Sequence, residues 1–207
     1  MLDALAVVAL ILAGYLLGSL PMGVLVARAV GGQDPRTFGS GSTGATNTRR
    51  ALGRRWAIVV AILDGAKGAA PILLARALDA DIAAQALAAT AAVVGAWRSV
   101  FIGFRGGRGV STYFAGLLLV APVLVLLAVP VFGVAITRTR LVSVGSLLGT
   151  ATVVVGALAM VVGGALSATW LLFVLPGGFV VGLAHRHNIE RLLAGTERTL
   201  AGKSGDF

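Results

Sequence analysis

Apolar runs long enough to cross a lipid bilayer recur along the whole of this 207-residue chain. A transmembrane helix needs about 20 consecutive residues that are mainly apolar. Stretches approaching that length occupy residues 4–30, 56–78, 82–97, 110–136, 141–163 and 168–183. Because 57% of the residues are hydrophobic and only 12% are charged, neither a disordered chain nor an ordinary soluble enzyme fits the composition. The runs predict an all-α integral membrane protein with a single domain over residues 1–207.

The side-chain composition removes several kinds of chemistry. The chain has no cysteine, which excludes disulfides, Cys-ligated zinc, iron–sulfur clusters and a thiol nucleophile. Its net charge is +9, and all of its 17 cationic residues except Lys67 and Lys203 are arginines. In a membrane protein this excess indicates loop orientation, attraction to anionic lipids or binding of phosphates, so no nucleic-acid partner is expected.

The cationic residues also predict which loops face the cytoplasm. Lysine and arginine concentrate in cytoplasmic loops, so an even number of crossings separates clusters that share that side. An even number of crossings between the second and third clusters requires two short helices between residues 110 and 137, with a turn near Ala121 and Pro122. The alternative is one long tilted helix. The prediction is a seven-transmembrane-helix bundle with its N-terminus outside and its C-terminus in the cytosol. The clusters are Arg36 with Arg49, Arg50, Arg54 and Arg55; Arg98, Arg105 and Arg108; Arg138 and Arg140; and Arg186, Arg191, Arg198 and Lys203.

A first polar, glycine-rich segment covers residues 39–50. Glycines allow the backbone to approach a ligand closely, and exposed backbone N–H groups leading into a helix bind anions. The segment lacks the Gly-Lys-Ser/Thr of a Walker loop, and a flexible linker is the alternative interpretation. We expect a phosphate site here, whose candidate ligands are Ser40, Ser42, Thr46, Asn47 and Arg50.

Two further polar segments follow later spans. In residues 104–112, Arg105 and Arg108 flank Gly106 and Gly107, so both guanidinium groups can converge on one anion; a loop that only carries topological charge is the alternative. In residues 185–197, His185 and Asn188 are three apart and share a face if that turn is helical.

Two residues of the third segment have side chains suited to acid–base catalysis and to oxyanion binding. His185 can act as a general base near neutral pH, and Asn188 can donate to a developing oxyanion. The alternative is that His185 and His187 only belong to a belt of residues at the membrane–water interface. We expect no metal there, since no carboxylate stands at a suitable offset from the two histidines.

Ionisable residues also occur inside one predicted span. Asp64 and Lys67 are three apart and share a helical face, where pairing lowers the cost of placing charge in a membrane. A structural pair and an active-site Lys67 are both open interpretations. In the first span, Pro21 breaks the helical ladder, and the freed carbonyls can line a polar cavity.

With these segments in this order, the chain resembles the acyl-phosphate:glycerol-3-phosphate acyltransferases of bacterial membranes over nearly its whole length. The motifs that carry the resemblance are GSLPMG (18–23), GSGSTGATNTRR (39–50), DGAKG (64–68), FRGGRG (104–109) and HRHNIERLLAGTE (185–197). The resemblance implies an integral membrane enzyme that moves a fatty acyl group from acyl phosphate to the 1-hydroxyl of glycerol 3-phosphate. The product is 1-acylglycerol 3-phosphate (lysophosphatidic acid), in the first step of phospholipid synthesis, and no cofactor is implied.

The resemblance also implies roles for individual residues. Positions of acyl-phosphate and phosphate ligands fall on Ser40, Thr46, Asn47 and Arg50, and the active-site pair falls on His185 and Asn188. Glu197 stands at the acid of the third motif. The chain departs from the family pattern at several positions: Ser42 replaces Asn, Arg105 and Arg108 replace lysines, Ala96 replaces His, and Arg98 and Ser99 replace Phe and Pro.

These inferences place the protein as a multi-pass component of the cytoplasmic (inner) membrane, with its active site facing the cytosol. Its expected partners are acyl phosphate, glycerol 3-phosphate and membrane lipids. A monomer is compatible with the sequence. The rival hypotheses are a membrane transporter of a small organic phosphate and an inactive divergent paralogue.

Overall fold

A computed structural model describes residues 2–200 of the chain, and its regular structure is helical. The ten α-helices in that part of the chain are α1 (Ala4–Ser19), α2 (Met22–Ala29), α3 (Ala45–Leu52), α4 (Arg54–Ala77), α5 (Ile82–Trp97), α6 (Val110–Val120), α7 (Pro122–Thr139), α8 (Val142–Val162), α9 (Leu171–Ala184) and α10 (Arg186–Leu193). Short 3₁₀ turns lie at Pro35–Thr37, Val100–Ile102 and Ala168–Trp170.

Four helical stretches are long and apolar enough to cross a membrane by themselves: α4, Ile82–Ile102, α7 and α8. Two bent pairs add a candidate span each, because α1 and α2 meet at 46° and the helices Ala168–Ala184 and Arg186–Leu193 meet at 54°. α6 is apolar but has only 11 residues. The chain is therefore an all-helical membrane protein, and its outward side chains, such as Val162 (90% exposed), suit a lipid environment.

Two helices, α6 and α7, occupy the region between residues 110 and 137, where the distribution of arginines predicts two membrane crossings. α6 ends at Val120 and α7 begins at Pro122, so the chain breaks at Ala121. Proline suits the first position of a helix, where its missing N–H removes no intrahelical hydrogen bond. α7 continues to Thr139 and has 18 residues, so only α6 is short.

Glycines allow neighbouring helices to touch along their backbones. Gly18 of α1 lies against the backbone of Ala92 in α5, and Gly68 of α4 lies against that of Thr112 in α6. The Thr112 hydroxyl also donates to the Asp64 carbonyl at 2.9 Å. Because lipid supplies no hydrophobic drive between helices, such close packing and interhelical hydrogen bonds hold the bundle together.

Gly68→Ala tests the contact between α4 and α6. A Cβ at this position overlaps the Thr112 backbone, so we expect the free energy of unfolding to fall by about 1–3 kcal/mol, as in overpacked cores. Gly133→Ala in α7 is the matched control, because a Cβ there meets no atom within 4 Å. Thermal unfolding in detergent measures both variants, and equal midpoints would contradict the close contact.

Candidate active site

The three polar segments meet at one end of the bundle, around adjoining cavities. The inner cavity has a volume of about 240 Å³ and is lined by residues of all three segments, including Thr46, Arg108 and His185. Its walls also include apolar residues, among them Ala61, Phe132 and Val142. This cavity thus combines a cationic, hydroxyl-rich part with an apolar part.

The outer cavity is larger, at about 360 Å³, and more polar. The first two segments contribute Ser40, Arg105 and Gly106, and the third contributes Asn188. Ser42, Gly107 and Arg108 line both the inner and the outer cavity. These shared residues therefore form the boundary at which the two cavities meet.

A third, very small cavity of about 10 Å³ joins the same groups from another side. Ser40, Thr46, Arg50, Arg108, Asn188 and Glu197 line it. The Ser40 hydroxyl and the Arg50 Nε are buried there without a hydrogen-bond partner in the described chain. Leaving polar atoms buried and unsatisfied is costly, so an oxyanion is the natural partner for this serine and this arginine.

Asn47 organises the first segment from within. Its side-chain amide is buried and faces the carbonyls of Pro35, Phe38 and Ser42, to which its Nδ2 donates, while its Oδ1 accepts from the Ser40 N–H at 3.0 Å. Although Asn47 lines the inner cavity, these hydrogen bonds are with the segment and with the turn that precedes it. The amide therefore fixes the turn that presents the Ser40 hydroxyl.

Backbone hydrogen bonds to the end of α5 hold the second segment in place. The Gly106 N–H donates to the Trp97 carbonyl at 3.0 Å, and the Gly107 N–H donates to the Ala96 carbonyl at 2.8 Å. A Cβ at Gly106 would overlap these carbonyls, which explains the glycine. The result is a fixed position for the next residue, Arg108.

Arg108 is the electrostatic centre of the site. Its half-buried guanidinium lines all three cavities and makes no hydrogen bond or ion pair within residues 2–200. Removal from water lowers the pKa of Arg108 to about 10. The nearby cations Arg191 and Arg50 also lower this pKa, whereas the Glu197 carboxylate raises it. The group still carries its charge at neutral pH, and a bound anion would stabilise it.

Arg50 is in a similar environment at the end of α3. Burial, reinforced by nearby Arg198, lowers the pKa of Arg50, while Glu197 acts in the opposite direction. Its Nη2 donates to the Thr199 carbonyl at 2.9 Å, which leaves Nε facing the small cavity. Arg50 and Arg108 thus present two guanidinium groups to one space.

The geometry of His185 fixes its tautomer. This residue follows the last turn of α9 and is 1% exposed, and its Nδ1 lies 2.8 Å from the Val181 carbonyl oxygen. A carbonyl only accepts, so Nδ1 carries the proton and neutral His185 has Nε2 free to accept one. Because His185 lines the inner cavity, this arrangement suits a base or a hydrogen-bond acceptor.

Glu197 acts as an anchor for the third segment. Its carboxylate is 4% exposed and accepts from the Asn188 amide, from the Ser143 hydroxyl at 3.0 Å and from the Arg191 Nε at 2.8 Å. These bonds connect α8, α10 and the segment after α10. Glu197 therefore aligns Asn188 and Arg191 at the edge of the small cavity.

Lys67 forms the ion pair with Asp64 that one interpretation of its sequence position predicts, and it also lines the inner cavity. Its Nζ lies 2.9 Å from Asp64 Oδ1 and donates to the Leu20 carbonyl at 2.9 Å, at the break that precedes Pro21. The break therefore supplies a backbone acceptor, as the proline predicts. Lys67 and Asp64 also line the inner cavity, which makes the pair a structural support within the site itself.

Some lining residues were missed by the sequence analysis. Ser143 and Ser146 of α8 both line the inner cavity, and Arg191 lines the outer and small cavities. The spacing of the two serines, three apart at the start of an apolar run, was the available signal. Within residues 2–200, no group of three His, Cys, Asp or Glu side chains is placed to hold a metal.

The apolar helices and the arginine-lined cavities at one end of the bundle define an integral membrane protein with a site suited to phosphorylated ligands. A model of the glycerol-3-phosphate acyltransferase family matches residues 8–195 of this chain. The chain belongs to that family, which confirms the resemblance drawn from the motifs.

Relatives and solved structures agree with this assignment. Glycerol-3-phosphate acyltransferase of Synechococcus sp. (strain JA-2-3B'a(2-13)) is 46% identical over 195 residues, which cover 93% of this chain and 94% of the relative. The enzyme of the same name from Anaeromyxobacter sp. (strain Fw109-5) is 42% identical over 204 residues, which cover 97% of this chain and 99% of the relative.

Crystal structures of PlsY (YgiH), an integral membrane glycerol 3-phosphate acyltransferase, match with 33% identity over 94% of this chain and 95% of theirs. The TM-score is 0.83 for the glycerol 3-phosphate form and 0.82 for the lysophosphatidic acid form.

Proposed function

We propose that this protein transfers a fatty acyl group from acyl phosphate to the 1-hydroxyl of glycerol 3-phosphate, giving lysophosphatidic acid and inorganic phosphate. The observation that carries the proposal is the position of Arg108, without a hydrogen-bond or ion-pair partner in the described chain, where the inner and outer cavities meet. Both reactants carry phosphate, and only the donor also needs an apolar wall. The inner cavity offers such a wall at Ala61, Phe132 and Val142.

The reaction needs orientation and charge neutralisation more than a covalent intermediate, because acyl phosphate is a mixed anhydride with a good leaving group. The glycerol hydroxyl oxygen attacks the acyl carbonyl carbon, and the bond from that carbon to the phosphate oxygen breaks. Arg50 and Arg108 hold the departing phosphate, while Ser40 and Asn188 orient the reacting groups. The hydroxyl proton passes to His185 Nε2 or to the phosphate of glycerol 3-phosphate itself.

An assay with purified protein in lipid vesicles tests this function. With palmitoyl phosphate and glycerol 3-phosphate, we expect lysophosphatidic acid and inorganic phosphate in a one-to-one ratio, and no product from palmitoyl coenzyme A. Uptake of glycerol 3-phosphate into the vesicles without phosphate release would instead favour a transporter. Neither uptake nor release would indicate an inactive paralogue.

We infer seven membrane crossings, because α6 and the two bent pairs add to the four long helical stretches. The N-terminus then lies outside, and the cavities face the cytosol at the cytoplasmic membrane. The arginine clusters on the loops that bound the cavities support this orientation.

Cysteine labelling tests the orientation in a chain that has no cysteine of its own. Ala165 follows α8 and Arg138 lies near the end of α7; both are exposed, and they are predicted to lie on opposite sides of the membrane. In intact cells we expect an impermeant maleimide to label Ala165→Cys, and to label Arg138→Cys only after permeabilisation. The reverse pattern would contradict the proposed topology.

A further inference from the structure

We propose that the outer cavity is a separate capture site, where Arg98 and Arg186 hold the phosphate of glycerol 3-phosphate taken from water before it reaches Arg108. This inference rests on the proposed function and adds a binding position to it. Arg98 and Arg186 line the outer cavity but neither the inner nor the small cavity. They therefore lie outside the inner and small cavities, although Arg186 directly follows His185 in the chain.

The first observation is an excess of positive charge without carboxylates. The residues that line the outer cavity include no Asp or Glu, and their cationic members are Arg98, Arg105, Arg108, Arg186 and Arg191. Within the described residues, only Arg191 of this set forms an ion pair with a carboxylate. The guanidinium groups of Arg98, Arg105 and Arg186 thus have no ion-pair partner, and a small anion would supply one.

The second observation is that Arg98 is held in place before any ligand arrives. Its guanidinium carbon lies 4.4 Å from the centroid of the Trp97 ring, and its Nη1 donates to the Phe104 carbonyl at 3.3 Å. The Arg98 carbonyl accepts from the Tyr15 hydroxyl at 2.8 Å. Stacking uses the face of a guanidinium, so N–H groups at its edge remain for a phosphate oxygen.

The third observation is a continuous connection to the reaction site. Ser42, Gly107 and Arg108 line both cavities, so an anion that leaves Arg98 and Arg186 next meets Arg108. A cavity with charge of one sign raises the local concentration of the opposite ion and speeds its association. The acyl donor is insoluble and has its apolar wall in the inner cavity, so the outer cavity serves the water-soluble reactant.

The double variant Arg98→Gln/Arg186→Gln tests the capture site. At low ionic strength we expect the KM for glycerol 3-phosphate to rise about tenfold, with kcat and the KM for palmitoyl phosphate unchanged. Added salt should shrink this difference, because exposed charges are screened. Arg98→Lys/Arg186→Lys should keep most of the affinity, and Arg138→Gln, an exposed arginine that lines none of the three cavities, should behave as the unmodified protein.

An unchanged KM for glycerol 3-phosphate, or a fall in kcat alone, would overturn the capture site. So would a defect seen only in vesicles containing phosphatidylglycerol, because the arginines would then bind a lipid headgroup. Isothermal titration with glycerol 3-phosphate, without an acyl donor, separates this inference from the proposed function. Weaker binding by the double variant supports capture even if the unmodified protein makes no lysophosphatidic acid, and equal binding overturns it.

Discussion

Arg108→Gln is expected to lower kcat/KM for acyl transfer by about 10²–10³-fold, comparable with the loss of one oxyanion-stabilising donor. The reason is geometric, because Arg108 lines all three cavities and has no hydrogen-bond or ion-pair partner in the described chain. Glutamine keeps a hydrogen-bond donor but removes the charge that neutralises a leaving phosphate. Initial rates of phosphate release in lipid vesicles, with each substrate varied in turn, measure the effect.

Arg105→Gln is the matched control for that experiment. Arg105 belongs to the same segment but is exposed and lines only the outer of the three cavities. We expect a loss of less than about tenfold, since an exposed charge contributes little. Equal losses in the two variants would show that the segment needs positive charge in general, and would contradict the central position of Arg108.

His185→Asn is expected to lower kcat by about 10²–10⁴-fold, the contribution of a positioned general acid–base group. Asparagine can replace the Nδ1–H donor that bonds the Val181 carbonyl, but it has no atom at the Nε2 position. The variant thus removes the proposed acceptor and keeps the anchoring hydrogen bond. Single-turnover measurement of product formation separates this effect from substrate binding.

His185→Gln distinguishes the two proposed routes for the proton. Glutamine places an amide near the Nε2 position, where it can form a hydrogen bond but cannot take up a proton at neutral pH. If Nε2 is the base, both variants are equally impaired; if the substrate phosphate takes the proton, His185→Gln keeps most of the activity. Unchanged turnover in His185→Asn would reject any role for this imidazole.

The sequence predicts much of the helical frame, because local patterns encode it. Apolar runs mark the membrane helices, and Pro21 and Pro122 mark two of the breaks. The bend of 54° between the last two helices was not foreseen. The apolar run ends just before His185, and nothing local indicates that the helix axis changes direction there.

The glycine-rich segments likewise predict which residues gather at the site, but not what each contacts. Glu197 accepts from Ser143, which is 54 positions away, and Lys67 donates to Leu20, which is 47 positions away. Such pairings depend on how helices distant in sequence pack together, so no local motif encodes them. The same holds for Asn47, whose role in shaping the first segment depends on the carbonyl of Pro35.

Two-substrate steady-state kinetics give the most direct test of the central claim, that both phosphorylated reactants are bound together around Arg108. Initial rates are measured while palmitoyl phosphate and glycerol 3-phosphate are varied against each other in lipid vesicles. Direct transfer in a ternary complex predicts double-reciprocal lines that intersect. Parallel lines would show that the phosphate leaves before the acceptor binds, through an acyl-enzyme intermediate, and would contradict the account.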